Sequence, residues 1–306
     1  MKKSVILFFA TICFFSALSA QHLMVATYNI RNENQGDVSK GNGWKQRCPV
    51  IAQLIRFHDF DIFGAQEVLN GQLNDMLSQL TAYSYIGVGR TDGLTKGEYA
   101  PIFYKKDKLL LLKSGHFWLS ETDDKPNVGW DAALPRICTW GKFQVKKGGE
   151  SFWFFNLHMD HIGVKARLES SRQVLQKIRI LCAGEPAILT GDFNVDQTSE
   201  GYKLISGSGM LQDSYEAADI RYALNGTFND FDPDLKTDSR IDHVFVSKGF
   251  HVVRYGVLTD SYRSEADSSA TAIKSANFPK EVSLHHYVPR LPSDHFPVKV
   301  ELQFVH

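Results

Sequence analysis

Six short blocks along the chain each set an Asp, Glu, Asn or His just beyond an apolar run. They are Thr27-Tyr28-Asn29-Ile30-Arg31, Gln66-Glu67, Asn156-Leu157-His158, Gly191-Asp192-Phe193-Asn194, Arg240-Ile241-Asp242-His243 and Ser293-Asp294-His295. Together they offer carboxylates for a hard metal ion, histidines that titrate near neutrality, and amides that can donate to an oxyanion. No block is read as supplying a nucleophilic Ser or Cys. Such residue types fit metal-assisted attack of water on a phosphate ester, provided that strand ends converge on one sheet edge and gather them.

The elements that would do the gathering are legible from periodicity. Leu23 to Ile30 reads as a first strand, and Phe60 to Ala65 as a short buried strand delivering Glu67. Trp44, Cys48, Ile51, Ile55 and His58 recur at helical spacing, and Pro49 fits that helix only in its first turn. Leu73, Met76, Leu77 and Leu80 mark a second helix, and 165–182 a third. Strands are expected at 84–88, 100–104, 109–119, 139–145, 151–157, 186–190, 241–247, 251–258 and 298–304. The Lys146-Lys147-Gly148-Gly149-Glu150 segment is a hairpin signal. Hairpins mixed with βα units exclude a purely parallel doubly wound sheet. They point to an α/β fold of two mixed sheets packed face to face, with helices outside.

Residues 1–20 stand apart. Lys2 and Lys3 precede an apolar run from Val5 to Leu18, and Ser19-Ala20 supply small residues before Gln21. This reads as a secretory signal peptide, with a retained anchor as the alternative, and it implies a secreted or periplasmic protein. Residues 21–306 then form one domain of 286 residues, with no linker or repeat inside it. That domain carries 32 basic against 34 acidic residues, which argues against tight, non-specific polynucleotide binding. Cys48, Cys138 and Cys182 are odd in number and lack CxxC spacing, so they read as small buried hydrophobes.

The six blocks, in this order, resemble the endonuclease/exonuclease/phosphatase superfamily, metal-dependent phosphoesterases with a four-layer α/β sandwich; the likeness runs from about Leu23 to Phe304. The resemblance implies Glu67 as the chief Mg²⁺ ligand, with Asn29 beside it and Asp294 contributing directly or through water; Mn²⁺ is a possible substitute. It also implies a His295–Asp242 pair, and an Asp192 that orients or deprotonates the attacking water. How the base role divides between Asp192 and His295 stays open. Asn194 would hold the nucleophile or a phosphate oxygen. His158 would sit on the phosphate and, if protonated, assist the leaving group. Arg136 follows a loop and could offer its planar fork to phosphate, a surface arginine being the competing reading. For Asp160, His161 and Arg167, capping and a solvated helix face compete with function.

The expected substrate is a phosphate ester, first a phosphodiester such as nucleic acid. The alternatives are an inositol or sugar phosphomonoester or a sphingomyelin-type lipid. An inactive binding protein on the same scaffold is the other class, disfavoured by the intact site residues. A monomer without a stable protein partner is expected. The polar stretch from Asp260 to Ser293 is read as a structureless loop bordering the site, with His285, His286 and Tyr287 as candidate contacts. Phe152-Trp153-Phe154-Phe155 is read as core.

Overall fold

The computed structural model describes residues 22–265 and 279–305; the leader read in residues 1–20 and the middle of the 261–292 stretch lie outside them. Strand β1 (His22–Asn29) passes through α1 (Gln35–Ser39) and α2 (Trp44–Phe57) into β2 (Ile62–Gln66). Helix α3 (Asn70–Gln79), β3 (Tyr83–Ile86) and β4 (Ile102–Lys105) follow. The middle of the chain holds β5 (Leu109–Trp118), β6 (Ile137–Val145), β7 (Ser151–His158), α4 (Val164–Cys182) and β8 (Ala187–Asp192). Next come α5 (Glu200–Ser206), β9 (Gln212–Asp213), α6 (Ser214–Ala217), β10 (Ile220–Tyr222) and β11 (Asp242–Val246). The chain ends on β12 (Phe250–Val257), an antiparallel pair of β13 (Tyr262–Glu265) with β14 (Tyr287–Arg290), and β15 (Val298–Phe304).

Two large mixed sheets result. One has the order β10-β12-β15-β1-β2-β4-β3, the other β5-β6-β7-β8-β11-β9. Their central strands are apolar on both faces because each face is covered. In β7, Phe152 and Phe154 point between the sheets, beside Val25, Ile62, Ile188 and Val244. Trp153 and Phe155 of the same strand pack outward with Val174, Ile178 and Cys182 of α4. On the other flank, Tyr28 and Phe63 meet Trp44, Cys48, Ile51 and Ile55 of α2 and Met76 of α3. The layers are therefore helix, sheet, sheet, helix. The aromatic run 152–155 is core, and Cys48, Cys138 and Cys182 are buried free thiols.

Two sequence expectations are corrected. Pro49 lies at the sixth residue of α2, beyond its first turn. The N–H it lacks would have served the Lys45 carbonyl, and Lys45 sits on the exposed face, where water can take over that acceptor. The stretch after Asp260 is not structureless. β13 and β14 pair antiparallel, and Arg290 reaches back to the Lys40 carbonyl and to Asn42 Oδ1, both at 2.9 Å. The short elements α1, α5, α6, β9 and β10 carry too few apolar repeats to be visible in sequence.

Candidate active site

Strand register assembles the site. β1 and β2 run parallel with Asn29 beside Gln66, so Asn29 and Glu67 leave the first sheet together. β7 and β8 run parallel with His158 beside Asp192, and antiparallel β11 sets Asp242 against Asp192. The two sheets face each other, so both sets of strand ends open onto one cavity of about 410 Å³, within the range of small-molecule sites. Glu67 and Asn194 hold left-handed backbone conformations (φ 60° and 50°), as do Arg31 and Asp230 (58° and 53°). Such conformations cost non-glycine residues free energy and cluster where function requires a side chain to be re-aimed.

Asn29 ties the carboxylates together. Its Nδ2 donates to Glu67 Oε1 at 3.1 Å and to Asp192 Oδ2 at 3.0 Å, while its Oδ1 accepts the Arg31 N–H at 3.0 Å. Asn32 N–H donates to the other Glu67 oxygen at 3.0 Å. Buried Ser293 donates to the Asn29 carbonyl at 2.7 Å, a structural use of its hydroxyl. Arg31 Nη1 lies 3.4 Å from Asp294 Oδ2.

His295 Nδ1 meets Asp242 Oδ2 at 2.9 Å, and its Nε2 stands 3.8 Å from Asp192 Oδ2. The second separation is too long for a direct hydrogen bond and short enough for one oxygen to touch both groups. Burial pushes Asp192 up to about 7, with the neighbouring Asp242 charge adding to the rise. Burial alone would depress His295, but Asp242, Asp192 and Asp294 outweigh it and hold the imidazole well above its ordinary value. Asp294 is raised by burial and by the Glu67 charge. Asp192 and His295 face each other across 3.8 Å, so the charge on each bears on the proton held by the other.

The opposite wall is cationic. Arg136 is buried, its Nε 3.1 Å from Asp160 Oδ2 and its Nη2 2.9 Å from His161 Nδ1. Its Nη1 is buried without a partner among the described residues. Arg90 pairs with Glu98 at 2.7 Å, and Glu98 lies 3.8 Å from His158 Nδ1. Burial, then Arg136 and Arg90, hold His158 well below the ordinary imidazole value. A neutral His158 donates a hydrogen bond rather than a full charge. Asn194 Nδ2 donates to the Met159 carbonyl at 3.0 Å, and its N–H to Asp192 Oδ1 at 2.9 Å.

The structure thus brings Glu67, Arg136, His158, Asp192, Asn194, Asp294 and His295 to one cavity, with Asn29 and Asp242 directly behind. His161 lines it as well. Asp160 instead caps the turn into α4, accepting from Ile162 and Gly163, and Arg167 donates to the Asp160 carbonyl. No described residue of 261–292 lines the cavity, and His285, His286 and Tyr287 are exposed away from it. Sequence reasoning missed Arg90, Glu98, Phe228 and Asp230, all in its wall. They sit in connections whose polar composition looks like any solvated turn.

The donor set fits a hard divalent cation. Glu67 and Asp294 present oxygens to the cavity, and burial, with neighbouring carboxylates adding to it, raises Asp192 and Asp294, a penalty on negative charge that a cation would relieve. Atoms of Asp192, Asp242 and His295 also lie within 4.8 Å of one another, although His295 and Asp242 already satisfy each other there.

The profile of the Endonuclease/Exonuclease/phosphatase family matches residues 26–295. Among solved structures, a protein of that family from Bacteroides thetaiotaomicron is 56% identical with a TM-score of 0.87, covering 94% of this chain and 99% of its own. A mannosyl-6-phosphatase from the same species is 57% identical with a TM-score of 0.85, covering 92% of this chain and 100% of its own. The catalytic domain of human nocturnin, 18% identical with a TM-score of 0.65 over 93% of this chain and 94% of its own, shares the fold. The matched span contains all six polar blocks and the cavity they build, so the chain belongs to the Endonuclease/Exonuclease/phosphatase family of phosphoric ester hydrolases.

Proposed function

We propose that this protein is an extracytoplasmic, Mg²⁺-dependent phosphomonoesterase that hydrolyses a sugar phosphate by in-line attack of water. The observation that carries the reading is 57% identity, over 92% of the chain, to a protein named a mannosyl-6-phosphatase. The near-balanced charge supports a small substrate over a polymer. The leader-like residues 1–20 support placement outside the cytoplasm. The diester reading favoured from sequence is the alternative outcome of the test.

Mg²⁺ held by Glu67 and Asp294, with Mn²⁺ as substitute, would supply Lewis-acid charge to the phosphate oxygens. The chain's own groups do the rest. Asp192 and His295 hold the attacking water between them, and one of them takes its proton. Asp242 fixes the Nδ1–H tautomer, leaves Nε2 facing the water, and stabilises the imidazolium. Arg136 turns its unpartnered Nη1 to a phosphate oxygen, while His158 and Asn194 are placed to donate beside it.

The test is phosphate release by residues 21–306 with Mg²⁺ from mannose 6-phosphate, glucose 6-phosphate and an inositol monophosphate. Bis(p-nitrophenyl) phosphate, RNA and single-stranded DNA are run alongside, with His295→Ala as control. A kcat/KM on a hexose phosphate that exceeds the others and disappears in the variant is expected. Faster cleavage of diester or nucleic acid would overturn the monoester reading.

A further inference from the structure

Resting on the sugar-phosphate reading, we propose that Phe228 and Asp230 form the subsite that selects a pyranose leaving group. Phe228 is 41% exposed in a cavity otherwise walled by charged and polar groups, Leu134 being its other apolar lining residue at 41%. An aromatic ring left open to water at this place is held there by design of the backbone, not by looseness. Phe228 bridges to His295, Phe296 N–H donates to the Thr227 carbonyl at 2.7 Å, and Asn229 N–H to the Asp294 carbonyl at 2.8 Å. The ring stands edge-on to His295, centroids 5.1 Å apart and planes at 74°. The aromatic surface is thereby locked to the segment that carries Asp294 and His295.

The next residues strengthen the argument. Asp230 and Phe231 are both left-handed, at φ 53° and 60°. Asn229 Oδ1 accepts the Phe231 N–H at 2.8 Å, and the Phe231 ring lies under the Arg47 guanidinium at 5.4 Å. This costly turn sends Phe231 inward and leaves Asp230 on the cavity wall. Among the described residues the Asp230 carboxylate has no hydrogen bond or ion pair, and the water-activating pair does not use it.

An apolar ring face beside a free carboxylate matches a pyranose, whose ring presents C–H groups on its faces and hydroxyl donors at its rim. It does not match a leaving group that carries further phosphates. Asp230, on the cavity wall without an ion pair among the described residues, would repel one.

The test compares kcat/KM for mannose 6-phosphate, mannitol 1-phosphate and glycerol 3-phosphate with Mg²⁺. Mannitol keeps the hydroxyls and loses the ring; glycerol is too short to reach the subsite. Phe228→Ala and Phe228→Leu should each lower the mannose-to-mannitol ratio about tenfold, the size of one stacking contact. Asp230→Asn should lower both hexose-derived substrates about tenfold relative to glycerol 3-phosphate. Unchanged ratios overturn the subsite, as does an equal fall on all three substrates, which would make Phe228 a support for His295 alone. A wild-type enzyme that ignores mannose 6-phosphate fails the sugar-phosphate reading itself, before any variant is compared.

Discussion

Asp242→Asn is the sharpest probe of the water-activating pair. The change keeps the shape of a fully buried side chain and removes its charge. In the wild type, Oδ2 takes the His295 Nδ1–H at 2.9 Å, and Oδ1 is buried with no partner among the described residues. The variant has two ways to settle. If its oxygen stays on Nδ1, its NH2 is buried unpaired, at about 1–3 kcal/mol of stability. If it rotates, the NH2 donates to Nδ1 and drives the imidazole proton to Nε2, where the water's proton should go. The second arrangement leaves unpaired only an oxygen at the place where Oδ1 already has no partner among the described residues, and it is the one expected. It forfeits a charge-assisted contact of about 1.5–3 kcal/mol, or roughly 10- to 100-fold in rate. The wrong tautomer adds to that, and in the serine-protease precedent the combined effect is about 10⁴-fold.

The pH profile reports the same change. With His295 as the proposed proton acceptor, its working form is neutral at Nε2, and its three carboxylate neighbours raise its pKa well above the ordinary value. Activity should therefore rise with pH along an acid limb at or above neutrality. Without the Asp242 charge, burial regains weight and the limb moves down. The assay is phosphate release from mannose 6-phosphate between about pH 5 and 9, with thermal unfolding in parallel. A kcat/KM within about threefold of wild type, on an unmoved limb, would refute the role given to Asp242.

Four further outcomes are expected. Chelation should abolish activity and Mg²⁺ or Mn²⁺ restore it, while Glu67→Gln should need far more cation for half-activation; an unchanged requirement would remove Glu67 from the metal site. Arg136→Lys should cost about 10- to 100-fold in kcat/KM, because one ammonium cannot serve Asp160, His161 and a phosphate oxygen at once; steady-state kinetics decide it. Gly64→Ala should destabilise the fold by about 1–3 kcal/mol in urea titration, since its Cβ would collide with Asn156 Oδ1 and Thr190 Oγ1. The cation-free protein should lose thermal stability as pH rises above about 6.5, the ordinary imidazole value, and regain it with Mg²⁺. Asp192, Asp294 and His295 have raised values, so their contribution is lost as pH rises through them. His158 and His243 have lowered values, and theirs is lost only as pH falls below the ordinary imidazole range. A melting temperature that is flat or rising over that window would contradict this balance.

What the sequence made legible follows from where periodicity is strong. Central strands such as β7 and β8 are apolar on both faces, so their ends are sharp, and the polar residue at each end stands out as a site candidate. The wall opposite the water-activating pair has no such marker. Arg90 and Glu98 come from the long β3–β4 connection, and only the folded pairing of that loop shows their burial. Asp230 is aimed by a left-handed backbone at a residue that is not Gly, a conformation no local pattern announces. The β13–β14 pairing joins two four-residue strands across a long separation, leaving no hairpin turn to read.

The precision of the site has its source below the cavity floor. Gln66 Nε2 donates to Thr27 Oγ1 at 3.0 Å and to Asn156 Oδ1 at 2.7 Å, crossing from one sheet to the other. Asn156 Nδ2 returns to the Ala65 and Pro101 carbonyls, and Thr190 Oγ1 closes the set on Asn156 Oδ1 at 3.2 Å. Amides buried this deeply are costly unless paired, so the network tolerates one relative placement of the two sheets. Glu67 follows Gln66 directly, His158 lies two residues beyond Asn156, and Asp192 two beyond Thr190. A slip of one residue in any of these strands would break the network and turn the site residue to the other face. Arg47 extends the same constraint to the loops. Its guanidinium donates to the carbonyls of Ile30, Arg31, Asn42 and Pro292, which brackets the segments carrying Arg31, Asn32 and Asp294. A hydrolase that must hold a water, a phosphate and a cation in fixed relation needs its strand ends locked before substrate arrives. Here a buried polar seam and one buried arginine provide the lock.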